Sequence, residues 1–236
     1  MLKQGIKGWF ESAMAPPHGV KNTPLVEKAH NGIVWKIAPL NESQFVTCSN
    51  DKKVSVWANN KEKPLSTIDV NTPVNSVTVL YRDDDPTYLV VGTFNGGVGL
   101  IDLKKEKVAR LRDKRHTSYV SSVCSLTMFD DRFFCSISAD SVVIWQMQDD
   151  DENAPDFEEF MEVPIEFTLQ GDYKWWEVME LKGIGDDNES DPSEAHIACS
   201  SSKDNETRIY RLNLEDQSAV LLHKIKQKFH PRAMVQ

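Results

Sequence analysis

The residue types of a hydrolytic triad occur twice along this chain of 236 residues. The two sets are His30, Ser49 and Asp51, followed by His116, Ser138 and Asp140. A histidine oriented by a carboxylate can deprotonate a serine hydroxyl for acyl transfer, so the sets invite a hydrolase interpretation. However, no G-x-S-x-G turn is present to lift a serine into solvent. A set that occurs twice in the same order indicates architecture, so we expect both serines to be structural.

These residues belong to a longer repeat. Each copy has Ser or Thr, then Asp or Asn two residues later, then a bulky apolar residue that closes a β-branched run. The copies are Ser49-Asn50-Asp51 to Trp57, Thr93-Phe94-Asn95 to Ile101, Ser138-Ala139-Asp140 to Trp145, and Ser202-Lys203-Asp204 to Tyr210. Ahead of each lies an apolar triplet: Val34-x-x-Ile37-x-x-Leu40, Val74-x-x-Val77-x-x-Leu80, Val120-x-x-Val123-x-x-Leu126, and Trp175-x-x-Val178-x-x-Leu181. Such a repeat predicts units that bury their faces against neighbouring copies.

From about residue 24 to about residue 230, the chain resembles the WD-repeat family of β-propellers. In that family a turn Asp holds a His, the His bonds a Ser or Thr hydroxyl, and the hydroxyl accepts from a Trp N–H. The resemblance implies two buried tetrads: His30, Ser49, Asp51 and Trp57, then His116, Ser138, Asp140 and Trp145. The second copy retains only Thr93 and Asn95, and the fourth has Tyr210 in place of Trp.

The predicted fold is therefore an all-β propeller with at least four blades of four antiparallel strands. Blades are expected at about 30–68, 70–111, 116–169 and 171–226 of a domain over 24–236, after an extended N-terminal arm at 1–23. Outer strands are predicted at 65–68, 108–111, 165–169 and 220–225, with one more at 25–28.

How the ring is completed is left open by the sequence. Propellers typically have four to eight blades, and WD repeats most often form seven, so the ring is expected to be incomplete. The chain is then either the N-terminal portion of a longer product or a partner of another chain that supplies the remaining blades. A closed ring of four blades is the third alternative.

Two insertions interrupt the repeat near the fourth blade. Residues 149–162 are strongly acidic and are expected to form a solvated loop. In the alternative interpretation, Phe157, Phe160 and Met161 dock on a basic surface as a short peptide. Residues 183–193 are rich in Gly, Asp, Asn and Ser and predict a flexible hairpin loop.

The net charge of −9 argues against a surface that wraps nucleic acid. A basic stretch nevertheless occurs at residues 104–115: Lys104, Lys105, Lys107, Arg110, Arg112, Lys114 and Arg115. It is interpreted either as a solvated outer strand and loop or as a docking patch for an acidic partner. Binding to anionic lipid or RNA would use the same residues.

The cysteines indicate a reducing compartment. Cys48, Cys124, Cys135 and Cys199 fall in predicted strands without the spacing of a zinc site, so buried thiols are expected. The first ten residues do not contain a signal-peptide apolar stretch, and the sequence predicts no membrane span. We expect a cytoplasmic or nuclear protein without a metal or cofactor, since P-loop, dinucleotide and H-E-x-x-H patterns do not occur either.

The resemblance also implies a binding surface where the residue before each turn Asp or Asn projects. Asn50, Phe94 and Lys203 are the partner-binding candidates at these turns, and Phe94 is the expected anchor because exposed aromatics often are. Trp35 and Trp176 occupy matching positions and are either core or surface residues. The predicted function is a non-enzymatic protein–protein interaction scaffold, a subunit or adaptor of a complex. The alternatives are a propeller hydrolase and an anionic lipid- or RNA-binding propeller.

Overall fold

The computed structural model of the chain describes residues 29–127, 132–139, 141–148, 155–164, 176–182, 193–201 and 205–228. These residues form four sheets of four antiparallel strands, each in chain order. The first and second sheets are β1 (Val34–Asn41), β2 (Gln44–Ser49), β3 (Lys53–Ala58) and β4 (Ser66–Asp69), then β5 (Val74–Arg82), β6 (Asp85–Thr93), β7 (Val98–Asp102) and β8 (Lys107–Arg112). The third and fourth are β9 (Ser122–Ser125), β10 (Phe133–Ile137), β11 (Ser141–Met147) and β12 (Phe157–Pro164), then β13 (Trp176–Leu181), β14 (Glu194–Ser201), β15 (Glu206–Asn213) and β16 (Ser218–Lys226).

The sheets, here called blades 1 to 4, pack face to face in chain order and do not close into a ring. We call the face that points towards the preceding blade the upstream face and the opposite one the downstream face. The prediction of an all-β propeller with four blades of four antiparallel strands is confirmed. No helix occurs in the described part of the chain, and thus none there could cross a membrane.

One apolar core fills each of the three interfaces between blades. Val46, Val54 and Ile68 of blade 1 pack against the upstream face of blade 2. The other two cores contain Val90 and Leu100 of blade 2 with blade 3, and Ile137 and Ile144 of blade 3 with blade 4. β-branched residues dominate these strands because their side chains pack well on the buried faces of a pleated sheet. The blades are therefore held together by their faces.

The first strands of the four blades form the inner edge of this fan. β1 packs on β5, β5 on β9, and β9 on β13. Lys36 of β1 donates a hydrogen bond to Glu177 of β13 at 2.8 Å, so an ion pair links blades 1 and 4 along that edge. The four blades therefore curve enough for one lysine and one glutamate side chain to bridge the inner strands of blades 1 and 4.

The outer strand of blade 3 corrects the sequence interpretation. It is β12 (Phe157–Pro164), so the prediction of this outer strand at 165–169 is wrong, as is that of a loop for residues 157–162. Phe157, Met161 and Val163 are buried, whereas Glu158 and Glu162 are exposed. A strand needs only one apolar face, and the high acidic content concealed this alternation. The outer strands predicted at 65–68, 108–111 and 220–225 correspond to β4, β8 and β16.

Several predicted segments lie outside the described residues. They are the arm at 1–23, the strand at 25–28, residues 149–154 of the acidic insertion and residues 183–192 of the predicted flexible loop.

Candidate functional site

The first triad-like set forms a buried hydrogen-bond network in blade 1. The Nδ1 atom of His30 lies 3.0 Å from the Asp51 carboxylate, and its Nε2 atom lies 2.7 Å from Oγ1 of Thr47. A carboxylate can only accept, so Nδ1 carries the proton and Nε2 accepts from the threonine hydroxyl. The Trp57 indole N–H donates to the same Oγ1 at 2.8 Å. The threonine hydroxyl is therefore the centre of the network.

Blade 3 repeats this arrangement. Nε2 of His116 lies 2.8 Å from Oγ of Ser136, and the Trp145 indole N–H donates to that oxygen at 2.8 Å. All three side chains are buried. Asp140, the predicted fourth member, lies outside the described residues. Two blades thus contain the same histidine–hydroxyl–tryptophan contact.

The structure corrects the hydroxyl in both predicted tetrads, which is Thr47 rather than Ser49 and Ser136 rather than Ser138. Ser49 instead accepts from the backbone N–H of Asp51 at 3.1 Å, and Ser138 donates to the backbone oxygen of Tyr119 at 2.9 Å. Residues two apart in a strand share a face, so the two hydroxyls of each pair were equivalent by pattern.

A second signal in the sequence could have separated them. A phenylalanine precedes the network hydroxyl by two residues in both blades, as Phe45-x-Thr47 and Phe134-x-Ser136. In each blade this phenylalanine is opposite the tryptophan on the next strand and stacks on it, at 6.3 Å for Phe45 and Trp57. The hydroxyl next along that face is the one that the indole N–H reaches.

The network is unsuited to nucleophilic catalysis. Ser49 and Ser138 are both fully buried, and Thr47 is only 4% exposed. Each of these hydroxyls is engaged by a partner within its own blade. A nucleophile must reach its substrate, and a buried, satisfied hydroxyl stabilises a fold instead.

Asp51 is ionised within this network. Burial tends to raise the pKa of Asp51, but the backbone N–H of Asn31 and the His30 ring outweigh it and hold that pKa below its ordinary value of 3.8. Hydrogen bonds that favour the charged form lower a carboxyl pKa in this way. The charged carboxylate fastens the segment before β1 to the turn between β2 and β3.

Blades 2 and 4 lack the full network. In blade 2 the apolar side chains of Leu89, Val91 and Ile101 fill the corresponding positions and are fully buried. In blade 4 Cys199 and Tyr210 take the places of the hydroxyl and the tryptophan. In blade 2 the central hydroxyl and the tryptophan are both replaced by apolar side chains, so neither is left without its partner and the blade retains its packing.

Phe94 is the most exposed aromatic side chain among the described residues. It is 50% exposed in the turn between β6 and β7, and its ring stacks on Tyr119 at 5.7 Å. The turn is held on both sides: the Phe94 N–H donates to Pro73, and the Val120 N–H donates to Thr93. Gly96 follows with φ of 85°, a conformation that glycine adopts without strain. The result is a rigid aromatic platform, Phe94 and Tyr119, between blades 2 and 3.

The other predicted surface residues are distributed differently. Asn50 is exposed in the β2–β3 turn, which matches the turn of Phe94 in blade 2. Trp35 is half-buried and packs on the core between blades 1 and 2. Trp176 begins β13, but its side chain is not described, and Lys203 lies outside the described residues.

The basic stretch at 104–115 contacts an acidic segment of the same chain. Arg110 and Arg112 of β8 each lie 3.2 Å from the Asp156 carboxylate. Arg112 also donates to the backbone oxygen of Phe157 at 2.6 Å, and its guanidinium lies 5.3 Å from the centre of that ring. Contacts of this kind combine charge with packing on an aromatic face. The outer strands of blades 2 and 3 are thus clasped together.

Arg115 extends this clasp. Its guanidinium donates two hydrogen bonds to Glu159, at 2.6 and 2.7 Å, and one to Glu162 at 3.1 Å. Hydrogen bonding from Arg115 lowers the pKa of Glu159 below its ordinary value. A bidentate arginine–carboxylate contact is stronger than an ion pair with a single hydrogen bond. The acidic segment thus docks on basic residues as a strand of its own chain, and the three arginines are committed to that contact.

The four cysteines are unbridged thiols. Burial raises the pKa of Cys48 to about 12, and it also raises those of Cys135 and Cys199. The pKa of Cys124 is lowered, chiefly by its hydrogen bond with Cys135. Within the described residues, no group of His, Cys, Asp and Glu is arranged to hold a metal ion.

Comparison with known proteins agrees with this architecture. Residues 22–58 match the family described as WD domain, G-beta repeat, and they include the whole blade 1 network. No curated protein matches the sequence. A similar solved structure is the Cps50 (Swd1) β-propeller domain of Myceliophteria thermophila, with a TM-score of 0.60 and 10% identity. The match covers 85% of this chain and 61% of that domain, so the chain spans less than two thirds of its length.

Proposed function

Because the chain is a WD-repeat protein with a β-propeller fold, we propose that it is a non-enzymatic interaction scaffold, a subunit or adaptor of a multiprotein complex. WD-repeat propellers generally serve as scaffolds for protein interaction, and this fold presents rigid loops on a disc of packed sheets. The unbridged thiols support the cytoplasm or nucleus as its compartment.

The observation that supports this proposal most is the aromatic platform of Phe94 and Tyr119. Half of the Phe94 side chain is in solvent, although the turn that holds it is fixed by backbone hydrogen bonds. A rigid exposed aromatic loses little conformational entropy on binding, and aromatic anchors supply most of the energy of many interfaces. The partner would place an apolar side chain against this platform.

A comparison of variants in cells tests the proposal. The tagged chain is expressed in its own source cells and recovered with its associated proteins, which are quantified by mass spectrometry. Phe94→Asp should reduce recovery of at least one associated protein by about tenfold, as expected for an interface anchor. Leu65→Asp is the matched control, because Leu65 is 49% exposed outside the platform. Recovery that is the same for wild type and Phe94→Asp would contradict the proposal.

The hydrolase alternative is tested separately. Ser49 and Ser138 are fully buried, so neither should react with a fluorophosphonate probe in the native protein. Peptide mapping after treatment would locate any label. Stoichiometric labelling of either serine in folded protein would restore the hydrolase interpretation.

The lipid or RNA alternative is disfavoured by the clasp. Arg110, Arg112 and Arg115 are occupied by Asp156, Glu159 and Glu162. Binding to phosphates would have to displace these contacts, which lie within the same chain and need no second molecule.

A further inference from the structure

The upstream face of blade 1 is exposed at positions that are buried in every other blade. The middle residue of the apolar triplet lies opposite the equivalent second-strand residue in each blade, as Ile37 opposite Thr47 and Val123 opposite Ser136. Val77, Val123 and Val178 are 1%, 4% and 3% exposed, whereas Ile37 is 60% exposed. The same place in the repeat is thus core in three blades and surface in the first.

The difference is confined to one face of the strand. The last residue of the triplet points downstream, and Leu40 is 5% exposed, close to the 2% of Leu80. The first residue of the triplet shows the same difference as the middle one: Val34 is 37% exposed, whereas Val74 is fully buried. β1 is therefore an ordinary inner strand for which the described residues provide no neighbour on the upstream side.

The chain itself shows what covers such a face. Val77, Val123 and Val178 each belong to a core that they share with the downstream face of the preceding blade. These downstream faces are apolar, with residues such as Val54 in blade 1 and Leu100 in blade 2. The fitting occupant for Ile37 is therefore the downstream face of another blade.

Blade 4 has a downstream face as well, and among the described residues its outer strand β16 is exposed there. Ile225 and Val220 of β16 lie opposite Thr207 and Arg211 of β15. Along β15 these two residues alternate with residues that pack on blade 3, so they and their β16 partners are on the downstream face. Ile225 is 47% exposed and Val220 is 45% exposed. On the same face the hydroxyls of Ser200 and Thr207 are buried, lie side by side and make no hydrogen bond within the described residues. Polar groups of this kind are costly until they are paired.

We propose that a second copy of this chain covers these faces: blade 4 of each copy packs on blade 1 of the other. Because both halves of the interface are on one chain, two copies related by a two-fold axis make the same contact twice. Head-to-tail contacts generate a ring when the rotation closes. The product is a closed propeller of eight blades, which is within the usual range for this architecture.

The mass of the purified full chain in solution tests this arrangement. Light scattering during size-exclusion chromatography should give about twice the chain mass of 26.8 kDa at micromolar concentration. Ile37→Asp should halve the measured mass and leave the β-sheet circular dichroism unchanged, because the side chain is already exposed within one copy. Phe94→Asp places the same charge on another exposed apolar residue, and this control should stay dimeric.

Mixing two variants tests the head-to-tail geometry. Ile225→Asp alone should also give a monomer, because it damages the other half of the same contact. An equimolar mixture of Ile37→Asp and Ile225→Asp retains one undamaged contact, from blade 4 of the first variant to blade 1 of the second. The mixture should therefore have a higher mass than either variant at the same total concentration.

Three results would overturn the proposal. They are a wild-type chain that stays monomeric at micromolar concentration, a dimer that Ile37→Asp leaves intact, and a mixture of the two variants that stays monomeric.

Discussion

Blades 1 and 3 carry the same buried network in different surroundings. In both, a tryptophan and a histidine share one hydroxyl, of Thr47 or Ser136, at distances of 2.7 to 2.8 Å. Yet Ile37 is 60% exposed where Val123 is 4% exposed. The network is thus a property of a single blade, whereas burial of the blade's upstream face is a property of its neighbour. A blade can contain its hydrogen-bond network and still expose apolar side chains on its upstream face.

The largest difference between the two blades is expected for the phenylalanine that stacks on each tryptophan. Phe134→Ala should lower the free energy of unfolding by about 3–5 kcal/mol, because the ring is fully buried against Trp145 and Phe157. Phe45→Ala should cost less than half of that, since Phe45 is only half-buried. Both are measured by chemical denaturation in the Ile37→Asp background, which leaves the face of blade 1 open. Equal losses would refute the difference between the blades.

The hydroxyl at the centre of the network should have the next largest effect. Ser136→Ala leaves the Trp145 N–H without its acceptor and should cost about 1–3 kcal/mol, the range for an unsatisfied buried polar group. Ser138→Ala removes one hydrogen bond to a backbone oxygen and should cost about 0.5–1.5 kcal/mol. In blade 1, Thr47→Val should be destabilising and Thr47→Ser much less so. If Ser138→Ala lowered the free energy of unfolding more than Ser136→Ala, the central hydroxyl of the network would be that of Ser138, as the sequence predicts.

The smallest effect concerns the carboxylate of blade 1. The folded state lowers the pKa of Asp51, so its contribution is complete above the ordinary carboxyl pKa and is lost as the pH falls through the folded value. Asp51→Asn should therefore cost about 1 kcal/mol at neutral pH, since one acceptor oxygen remains, and the difference from wild type should vanish in acid. Asp85→Asn, at the exposed first residue of β6, is the control. A difference that grows in acid would contradict this assignment.

Repeat positions were the most reliable part of the sequence interpretation. Val74, Val77 and Leu80 recur in register with the triplets of the other blades, and the four-stranded sheets follow them. The partner of each polar group was less accessible. Thr47 and Ser49 are on one face of one strand, so alternation along that strand does not decide between them, whereas the register with Trp57 does. That register depends on strand pairing, which the local pattern does not encode.

The charged segments show the same division. Residues 104–115 and 149–162 were recognised as basic and acidic, but each was interpreted by itself as a solvated or partner-binding segment. Their contact brings together Arg115 and Glu159, 44 residues apart. A composition rule treats like charges as solvated and takes no account of an opposite charge on the next blade.

The sequence by itself determined the repeat, the blade architecture and the residue types available in each blade, because these follow from spacing along the chain. The tertiary structure alone decided which carboxylates pair with Arg115, which strand is outermost in blade 3 and whether Ile37 is core or surface. The physical reason is that hydrogen bonds and burial depend on neighbours across a strand pair or across an interface between blades. A residue's own position in the repeat carries no record of whether that neighbour is present.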